Sequence, residues 1–306
     1  LAWSCHGHLA SCSEDRTAFV WQWDKALSSW RAVLVELRAP RAALCIAWAP
    51  NGERFAVGLS SKDTAVCYYE SQVQCWCALK VGRSKAAITA IAWHPSSQFL
   101  ATGSTDCKCV VYDVNEAAML PAPQAPFGAA QVTEDAGAWV NDVAFSPNGS
   151  VLAFVSQDSS VRFKNLAGGP QAAVDVVRWR GLPFLRATFV GNHSLVACGF
   201  DYVPVLFRES KDGKWQALGS LDCGPVAGLP GLPSAAPSTH RRESFDEARS
   251  RFKQSGSGTS LATKVEAAPV SSSWHTNTIT CCGALSGSRF STSGLDGQVM
   301  VWELTA

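Results

Sequence analysis

The chain has 306 residues and a formal net charge of +1, and 47% of its residues are hydrophobic while only 17% are charged. The near-neutral charge excludes a globally basic nucleic-acid-binding protein and an acidic disordered chain, and no apolar run approaches the roughly 18 residues of a membrane-spanning helix. Because an ordinary globular domain carries about 25% charged residues, the low fraction predicts a large buried area or a surface that meets partners.

One unit recurs along the chain. It consists of an apolar run ending in an aromatic residue, a turn, a second apolar run, and an Asp that an aromatic residue follows six positions later. Short segments such as Ile88–Trp93 and Lys108–Asp113 are rich in β-branched and aromatic residues, which is typical of strands. The six copies are Leu1–Trp23, Leu44–Tyr69, Ile88–Tyr112, Val140–Lys164, Leu185–Phe207 and Ile279–Trp302.

The recurring Asp is expected to accept hydrogen bonds from its own turn, and the aromatic residue is expected to pack between neighbouring units. The Asp residues are Asp15, Asp63, Asp106, Asp158, Asp201 and Asp296, and the aromatic residues are Trp21, Tyr69, Tyr112, Phe207 and Trp302. The fourth copy departs, with Lys164 at the aromatic position. A fourth strand is predicted in the spacers, at Arg31–Leu37, Trp76–Val81, Gln171–Val177 and Trp215–Leu221.

Four strands in a repeat of about 40–45 residues resemble the blade of a WD-repeat β-propeller. A β-sandwich of many short strands is the alternative. Self-similarity with a constant Asp-to-aromatic spacing in five of the six copies favours the propeller. The predicted fold class is therefore all-β.

Further segments resemble one family of propellers, subunit 1 of the actin-related protein 2/3 complex. They include Arg41–Asn51 with Phe55–Gly58, Pro121–Gly128, Val155–Val161 and Gly294–Gly297, in order along the chain. The resemblance implies a seven-bladed WD-repeat β-propeller of which about six blades are present, so that residues 1–306 form a single domain. It also implies that the N-terminal blade and the ring-closing strand are missing from this sequence, so that either the sequence is incomplete or a partner chain covers the gap.

An insertion separates Asp201 from Asp296, an interval about twice the others. It spans 224–275, with a Pro/Gly-rich linker before and the Gly/Ser-rich Ser255–Ser260 after its centre. Ser244 with Glu247 three residues later forms a capping box, which predicts a short amphipathic helix near 244–254.

This helix is predicted to bind a partner. Its apolar stripe and its C-terminal cations would contact an apolar, acidic surface, and the resemblance implies that this surface is actin. The candidate partner-binding residues are Phe245, Ala248, Arg249, Arg251, Phe252 and Lys253. The alternatives are that the stripe folds back on its own propeller or that the loop is disordered, since a helix of about ten residues is marginal alone.

The residues that could carry chemistry predict neither catalysis nor a cofactor or metal. The six His lack metalloprotease spacing, and His6 with His8 has no third ligand. The C-x-C pairs Cys75/Cys77 and Cys107/Cys109 place both thiols on one face of a strand, which suits packing as well as metal. Most of the 12 Cys lie in apolar runs, which is typical of a reduced intracellular protein.

The resemblance implies a non-catalytic scaffold subunit of the actin-related protein 2/3 complex that supports actin nucleation and branching. The implied partners are the other subunits, the actin filament and nucleation-promoting factors, without nucleic acid or membrane insertion. The implied location is the cytoplasm, at the actin cytoskeleton. Two alternatives stay open: a WD-repeat adaptor of another assembly, such as a ubiquitin-ligase substrate receptor that binds peptides on the propeller face, and a propeller enzyme.

Overall fold

A computed structural model of the chain describes residues 1–115, 127–169, 171–221 and 275–304. These residues belong to one compact unit, formed by Leu1–Gly224 and Trp274–Ala306. They contain 23 β-strands and, within these ranges, no helix, which confirms the all-β class. The predicted insertion helix near 244–254 lies outside the described residues.

The first three sheets follow in chain order and are termed blades 1 to 3. Blade 1 comprises β1 (Ala2–Trp3), β2 (Leu9–Cys12), β3 (Ala18–Asp24) and β4 (Ser29–Glu36). Blade 2 comprises β5 (Ala43–Trp48), β6 (Arg54–Leu59), β7 (Asp63–Glu70) and β8 (Cys75–Arg83). Blade 3 comprises β9 (Ile88–Trp93), β10 (Phe99–Ser104), β11 (Lys108–Asp113) and β12 (Ala129–Asp135).

Blades 4 to 6 repeat the arrangement. Blade 4 comprises β13 (Val140–Phe145), β14 (Val151–Ser156), β15 (Ser160–Asn165) and β16 (Val174–Arg178). Blade 5 comprises β17 (Phe184–Phe189), β18 (Ser194–Gly199), β19 (Val205–Glu209) and β20 (Trp215–Ser220). Blade 6 has three strands among the described residues: β21 (Ile279–Ala284), β22 (Arg289–Gly294) and β23 (Val299–Glu303).

Each blade is an antiparallel sheet whose strands pair in chain order. Blades 1 and 2 are joined into one eight-stranded sheet by a short parallel pairing of β4 with β8, in which Val35 faces Trp76 and Glu36 faces Cys77. The predicted fourth strands are confirmed to within three residues at each end. β12 was not predicted because its sequence has little apolar character. Val132 is its one large apolar residue, and the strand ends in the charged residues Glu134 and Asp135.

The core lies in the seams, a term used here for the apolar contact between two neighbouring blades. Tyr112, for example, is 5% exposed and packs with Val66 and Val81 of the preceding blade. Phe207 is fully buried against blade 4, and Trp302 packs against Val196 of blade 5. At these three positions the aromatic residue of the repeat therefore packs between blades, as predicted.

Blade 2 departs from the prediction by two residues. In blade 3, Leu100 of the second strand pairs with Trp93 on one side and with the seam aromatic Tyr112 on the other. In blade 2, Phe55 occupies the position of Leu100 and pairs with Trp48 and Cys67. Cys67 is therefore the counterpart of the seam aromatic residue. Cys67 is fully buried, whereas the predicted Tyr69 is 48% exposed. The assignment of Asp63 and Tyr69 as the recurring Asp and aromatic residue of this blade was therefore wrong. Residues two apart on a strand point to the same face, so the alternation of apolar and polar residues does not reveal a shift of two residues.

Lys164 occupies the seam position of blade 4, because Leu152 pairs with Phe145 and Lys164. Its side chain is 1% exposed, and its Nζ lies 2.7 Å from Glu134 Oε1 on β12 of blade 3. Nζ also donates a hydrogen bond to the carbonyl of Ala172. A buried ion pair therefore spans this seam, at the position where Tyr112, Phe207 and Trp302 place an aromatic ring in theirs.

Hydrogen bonds also link the turns that join the first and second strands of successive blades. Gly149 has a φ of 74°, and a Cβ there would collide with the His94 ring, so this turn requires glycine. The contacts are His6 Nε2 with Asn51 O (3.0 Å), Asn51 N with Ser97 Oγ (3.1 Å), His94 Nε2 with Gly149 O (3.1 Å) and Asn148 N with Asn192 Oδ1 (3.0 Å). They hold blades 1 to 5 in sequence at this end.

The ion pair predicts a specific stability pattern. Lys164→Met should lower the free energy of unfolding in urea by about 3–5 kcal/mol, because Glu134 would stay in the seam without its cation. Adding Glu134→Met should recover most of the loss, because two apolar side chains suit the seam. Lys80→Met is the matched control: Lys80 is 63% exposed beside Asp63, so the loss should stay below about 1 kcal/mol. Equal losses in the single and double variants would contradict the role of the pair.

Candidate partner-binding site

Five of the six recurring Asp residues anchor turns, as predicted; the exception is Asp63, whose carboxylate contacts the side chains of Ser61, Lys80 and Arg83. Asp106 Oδ1 accepts a hydrogen bond from Lys108 N at 3.0 Å, and its Oδ2 accepts one from Lys85 N at 2.8 Å. Asp201 Oδ2 likewise accepts bonds from Leu182 N (2.9 Å) and from Trp179 Nε1 (3.0 Å). Each of these carboxylates therefore ties a turn to the loop that leads into the same blade, which is a structural role.

Blade 6 contains a hydroxyl, an imidazole and a carboxylate in line. His275 Nδ1 lies 3.0 Å from Asp296 Oδ2, and His275 Nε2 lies 2.8 Å from Thr292 Oγ1. This order is that of a nucleophile, a base and an orienting acid. However, Thr292 is 1% exposed, and Trp302 Nε1 donates a hydrogen bond to its Oγ1 at 2.8 Å. No substrate can reach this hydroxyl, so the arrangement ties β22 and β23 to the loop before β21.

The spacing of His residues in the sequence does not reveal this network, because His275 lies 17 and 21 residues from its partners Thr292 and Asp296. The sequence does contain one pattern that indicates the network: Thr292 precedes Asp296 by four residues, and Trp302 follows it by six. Burial raises the pKa of Asp296, but N–H bonds from Gln298 and Thr276 and the contact with His275 outweigh it, so the net pKa is lowered. The carboxylate is therefore the stable form in the folded blade.

Polar side chains join the first strands of blades 4 and 5. Asn141 Nδ2 donates to Phe184 O at 2.7 Å, and Asp142 Oδ2 accepts from Ala187 N at 2.9 Å. Enclosure by the surrounding strands raises the pKa of Asp142 to about 6, although Arg186 and the Ala187 N–H act in the opposite direction. Ionisation of Asp142 therefore opposes folding, and the resulting loss of stability develops as the pH rises from near 4 through about 6.

Blade 1 exposes an aromatic face on the side away from blade 2. Trp3, Trp23 and Trp30 are 61%, 48% and 43% exposed. Trp30 contacts both other rings edge to face, with centroid distances of 5.8 Å to Trp3 and 5.4 Å to Trp23. Exposed apolar surface of this kind marks contacts with other chains or sheets. We call this surface the tryptophan face.

A cleft of about 730 Å³ lies between blades 1 and 2. It is lined by aromatic and polar side chains, among them Arg31, Tyr69 and Trp76. Cys67 provides less bulk in this seam than an aromatic ring would. Trp76 is 4% exposed, and its Nε1 has no hydrogen-bond partner within the described chain. The cleft therefore offers apolar contact together with a cation, a combination suited to a segment of a partner protein.

The predicted partner-binding residues do not contribute to either surface. Phe245, Ala248, Arg249, Arg251, Phe252 and Lys253 lie outside the described residues. Across the ranges that are described, no three His, Cys, Asp or Glu side chains group as metal ligands. Within the same ranges, no helix has the length and apolar character to cross a membrane.

Stacked antiparallel blades with Asp-anchored turns define a WD-repeat β-propeller protein. The WD domain, G-beta repeat family matches residues 1–22, 76–113 and 131–163. Actin-related protein 2/3 complex subunit 1A of Arabidopsis thaliana is 33% identical, over 99% of this chain and 81% of its own length.

Two fungal relatives agree. Actin-related protein 2/3 complex subunit 1 of Schizosaccharomyces pombe is 30% identical over 97% of this chain and 82% of its own length. The Saccharomyces cerevisiae protein of the same name is 33% identical over 72% of this chain and 58% of its own length. The chain belongs to the family of actin-related protein 2/3 complex subunit 1, as the sequence resemblance predicted.

The raised pKa of Asp142 predicts a pH-dependent effect of its removal. An unfolded Asp ionises near pH 4, so the wild-type fold loses stability relative to an Asn variant as the pH rises from there through about 6. Asp142→Asn should therefore gain about 1 kcal/mol in free energy of unfolding between pH 4 and pH 8, relative to wild type. The value allows for partial exposure of the carboxyl group, because solvent screens the interaction.

Urea unfolding at several pH values measures this difference. Gln216→Ala, at an exposed position of β20, is the control because it changes no ionisable group, and its difference from wild type should not depend on pH. A difference for Asp142→Asn that stays constant or decreases with pH would show that enclosure does not oppose its charge.

Proposed function

We propose that this protein is a non-catalytic scaffold subunit of an actin-related protein 2/3 complex, acting in the cytoplasm at the actin cytoskeleton. The observation that carries the proposal is the identity of 30–33% with subunits of that name along nearly the whole chain. In this role the protein supports actin nucleation and filament branching. Its partners are the other subunits, the actin filament and nucleation-promoting factors.

The proposed mechanism is recognition by a rigid body. The seams and the hydrogen bonds between turns fix the blades, so that loops and faces are presented without reorganisation, which lowers the entropic cost of binding. The tryptophan face and the cleft between blades 1 and 2 are surfaces of the kind that such contacts use. The burial of the Thr292 hydroxyl supports a non-catalytic role, because the single hydroxyl–imidazole–carboxylate line described in blade 6 is closed to substrates.

We further propose that residues 1–306 form one propeller interrupted by an insertion at 224–275, and that the insertion contacts the actin filament. Phe245 and Phe252 would be its anchors, because aromatic residues in desolvated contacts carry most binding energy. Arg249, Arg251 and Lys253 would steer the segment toward an acidic surface. The capping box at Ser244 and the i, i+3, i+7 apolar spacing support this assignment.

The filament contact predicts that Phe245→Ala with Phe252→Ala lowers the rate of branch formation by about tenfold or more, since two aromatic anchors each contribute over about 1 kcal/mol. The measurement is branch density in a reconstituted assay with the complete complex. The melting temperature of the complex should not change, because both residues belong to the insertion.

Leu229→Ala with Leu232→Ala is the matched control, because it removes two large apolar side chains from the linker of the same insertion. It should leave branching near the wild-type rate. Equal branching by the wild type and the Phe variant would exclude these anchors, and equal loss in both variants would indicate a general effect of the insertion instead.

A further inference from the structure

The two C-x-C pairs of the chain have different geometries. Cys75 and Cys77 both lie on β8, are half-buried, and place their Sγ atoms 3.4 Å apart. Cys107 instead lies in the turn before β11 with a φ of 65°, and Cys109 is 1% exposed. The same sequence motif thus gives one pair of adjacent, reachable thiols and one pair divided between a turn and the core.

The closeness of Cys75 and Cys77 follows from their register. Cys75 pairs with Glu70 and Cys77 pairs with Tyr68 on β7, so both thiols lie on the same face of the sheet. Residues two apart on a strand have Cα atoms about 6.6 Å from each other, within the roughly 4.4–6.8 Å that disulfides bridge. A disulfide also needs Cβ atoms about 3.5–4.5 Å apart, so bonding the two sulfur atoms requires β8 to contract locally around Trp76.

We propose that Cys75 and Cys77 form a thiol-oxidation site that closes to an intrachain disulfide by exchange with small disulfides of the glutathione disulfide class. One cysteine thiolate attacks a sulfur of the reagent, forming a mixed disulfide and releasing one small thiolate. The second cysteine loses its proton and attacks the Sγ of the first cysteine. This forms the Cys75–Cys77 bond, breaks the mixed disulfide and releases the second small thiolate. The two protons end on the released thiolates, so two protein thiols are oxidised while one small disulfide is reduced to two thiols.

Neighbouring groups set the pH dependence of this exchange. Glu36 on β4 and Glu70 and Tyr68 on β7 surround the pair. The contact with Cys75, together with burial and the two carboxylates, raises the pKa of Cys77. Because the thiolate is the reacting form, attack by Cys77 accelerates as the pH rises.

The site lies where blades 1 and 2 join. Cys77 faces Glu36 in the parallel pairing of β4 with β8, and the intervening Trp76 is buried in the seam and lines the cleft. Contraction of the strand on closure would disturb that pairing, so reductants should reopen the bond readily. Oxidation would thus alter the blade 1–blade 2 junction reversibly, a property beyond the proposed scaffold role and independent of it.

The test exposes the assembled complex to glutathione disulfide at pH 8 under native conditions, followed by alkylation of free thiols and mass spectrometry of peptides. We expect a disulfide within the Cys75–Cys77 peptide that dithiothreitol reverses, while Cys107 and Cys109 stay free. Closure at Cys75–Cys77 should be at least about tenfold faster, because burial raises the pKa of Cys109 and keeps it from exchange. In urea, the two pairs should react at similar rates, which shows that the fold provides the selectivity.

Cys75→Ser and Cys77→Ser each leave one thiol of the pair, so the reaction should stop there at the mixed disulfide with glutathione. The proposal is overturned if both C-x-C pairs of the folded protein react alike, if Cys75 and Cys77 stay free at pH 8, or if either cysteine bonds instead to a distant one. None of these results bears on membership of the actin-related complex.

Discussion

Every blade of this protein has two apolar faces, and each face needs a neighbouring blade to cover it. A four-stranded sheet cannot bury its own side chains, so the seams between blades supply the core of the molecule. The fully buried Phe55, Phe154, Phe207 and Phe290 all lie at such contacts or within the blades that form them. The tryptophan face of blade 1 shows what remains when such a face is uncovered: three large rings that contact one another edge to face.

Different side chains occupy the equivalent position in the seams between blades. At equivalent positions the chain has Cys67, Tyr112, Lys164, Phe207 and Trp302. The rings of Tyr112, Phe207 and Trp302 pack against apolar side chains of the preceding blade. Lys164 instead forms a buried ion pair with Glu134 of the preceding blade. Cys67 is small and fully buried, and a cleft lined by Tyr69 and Trp76 lies between the same two blades. Departures from the repeat therefore mark the places where this propeller acquires features of its own.

The sequence predicted the repeat, most of the strands and five of the six anchoring Asp residues because each depends on local patterns. β9 and β11 have the predicted bounds, since Ile88–Trp93 and Lys108–Asp113 are apolar runs between strong turn signals. The errors come from tertiary pairing. The shift from Tyr69 to Cys67 is visible only in the register, and the pairing of Lys164 with Glu134 joins residues from different blades. The surfaces were not predicted, because a cleft between two sheets has no local pattern.

For the candidate sites too, local sequence patterns predict some features and only the structure shows others. The prediction for Phe245 and Phe252 depends on sequence pattern and family resemblance, and it stays a prediction. The two C-x-C motifs were read alike in the sequence, and only the turn at Cys107 separates them in the structure.

The central claim is that this propeller works as a subunit of an actin-related protein 2/3 complex. The most direct test is to recover the tagged protein from an extract of its own cells and to quantify the co-purifying proteins by mass spectrometry. The account predicts actin-related proteins in amounts equal to the tagged chain, retained at high salt because buried apolar contacts hold the assembly. Recovery of the intact propeller without any actin-related protein, or with a ubiquitin ligase in equal amount, would contradict it.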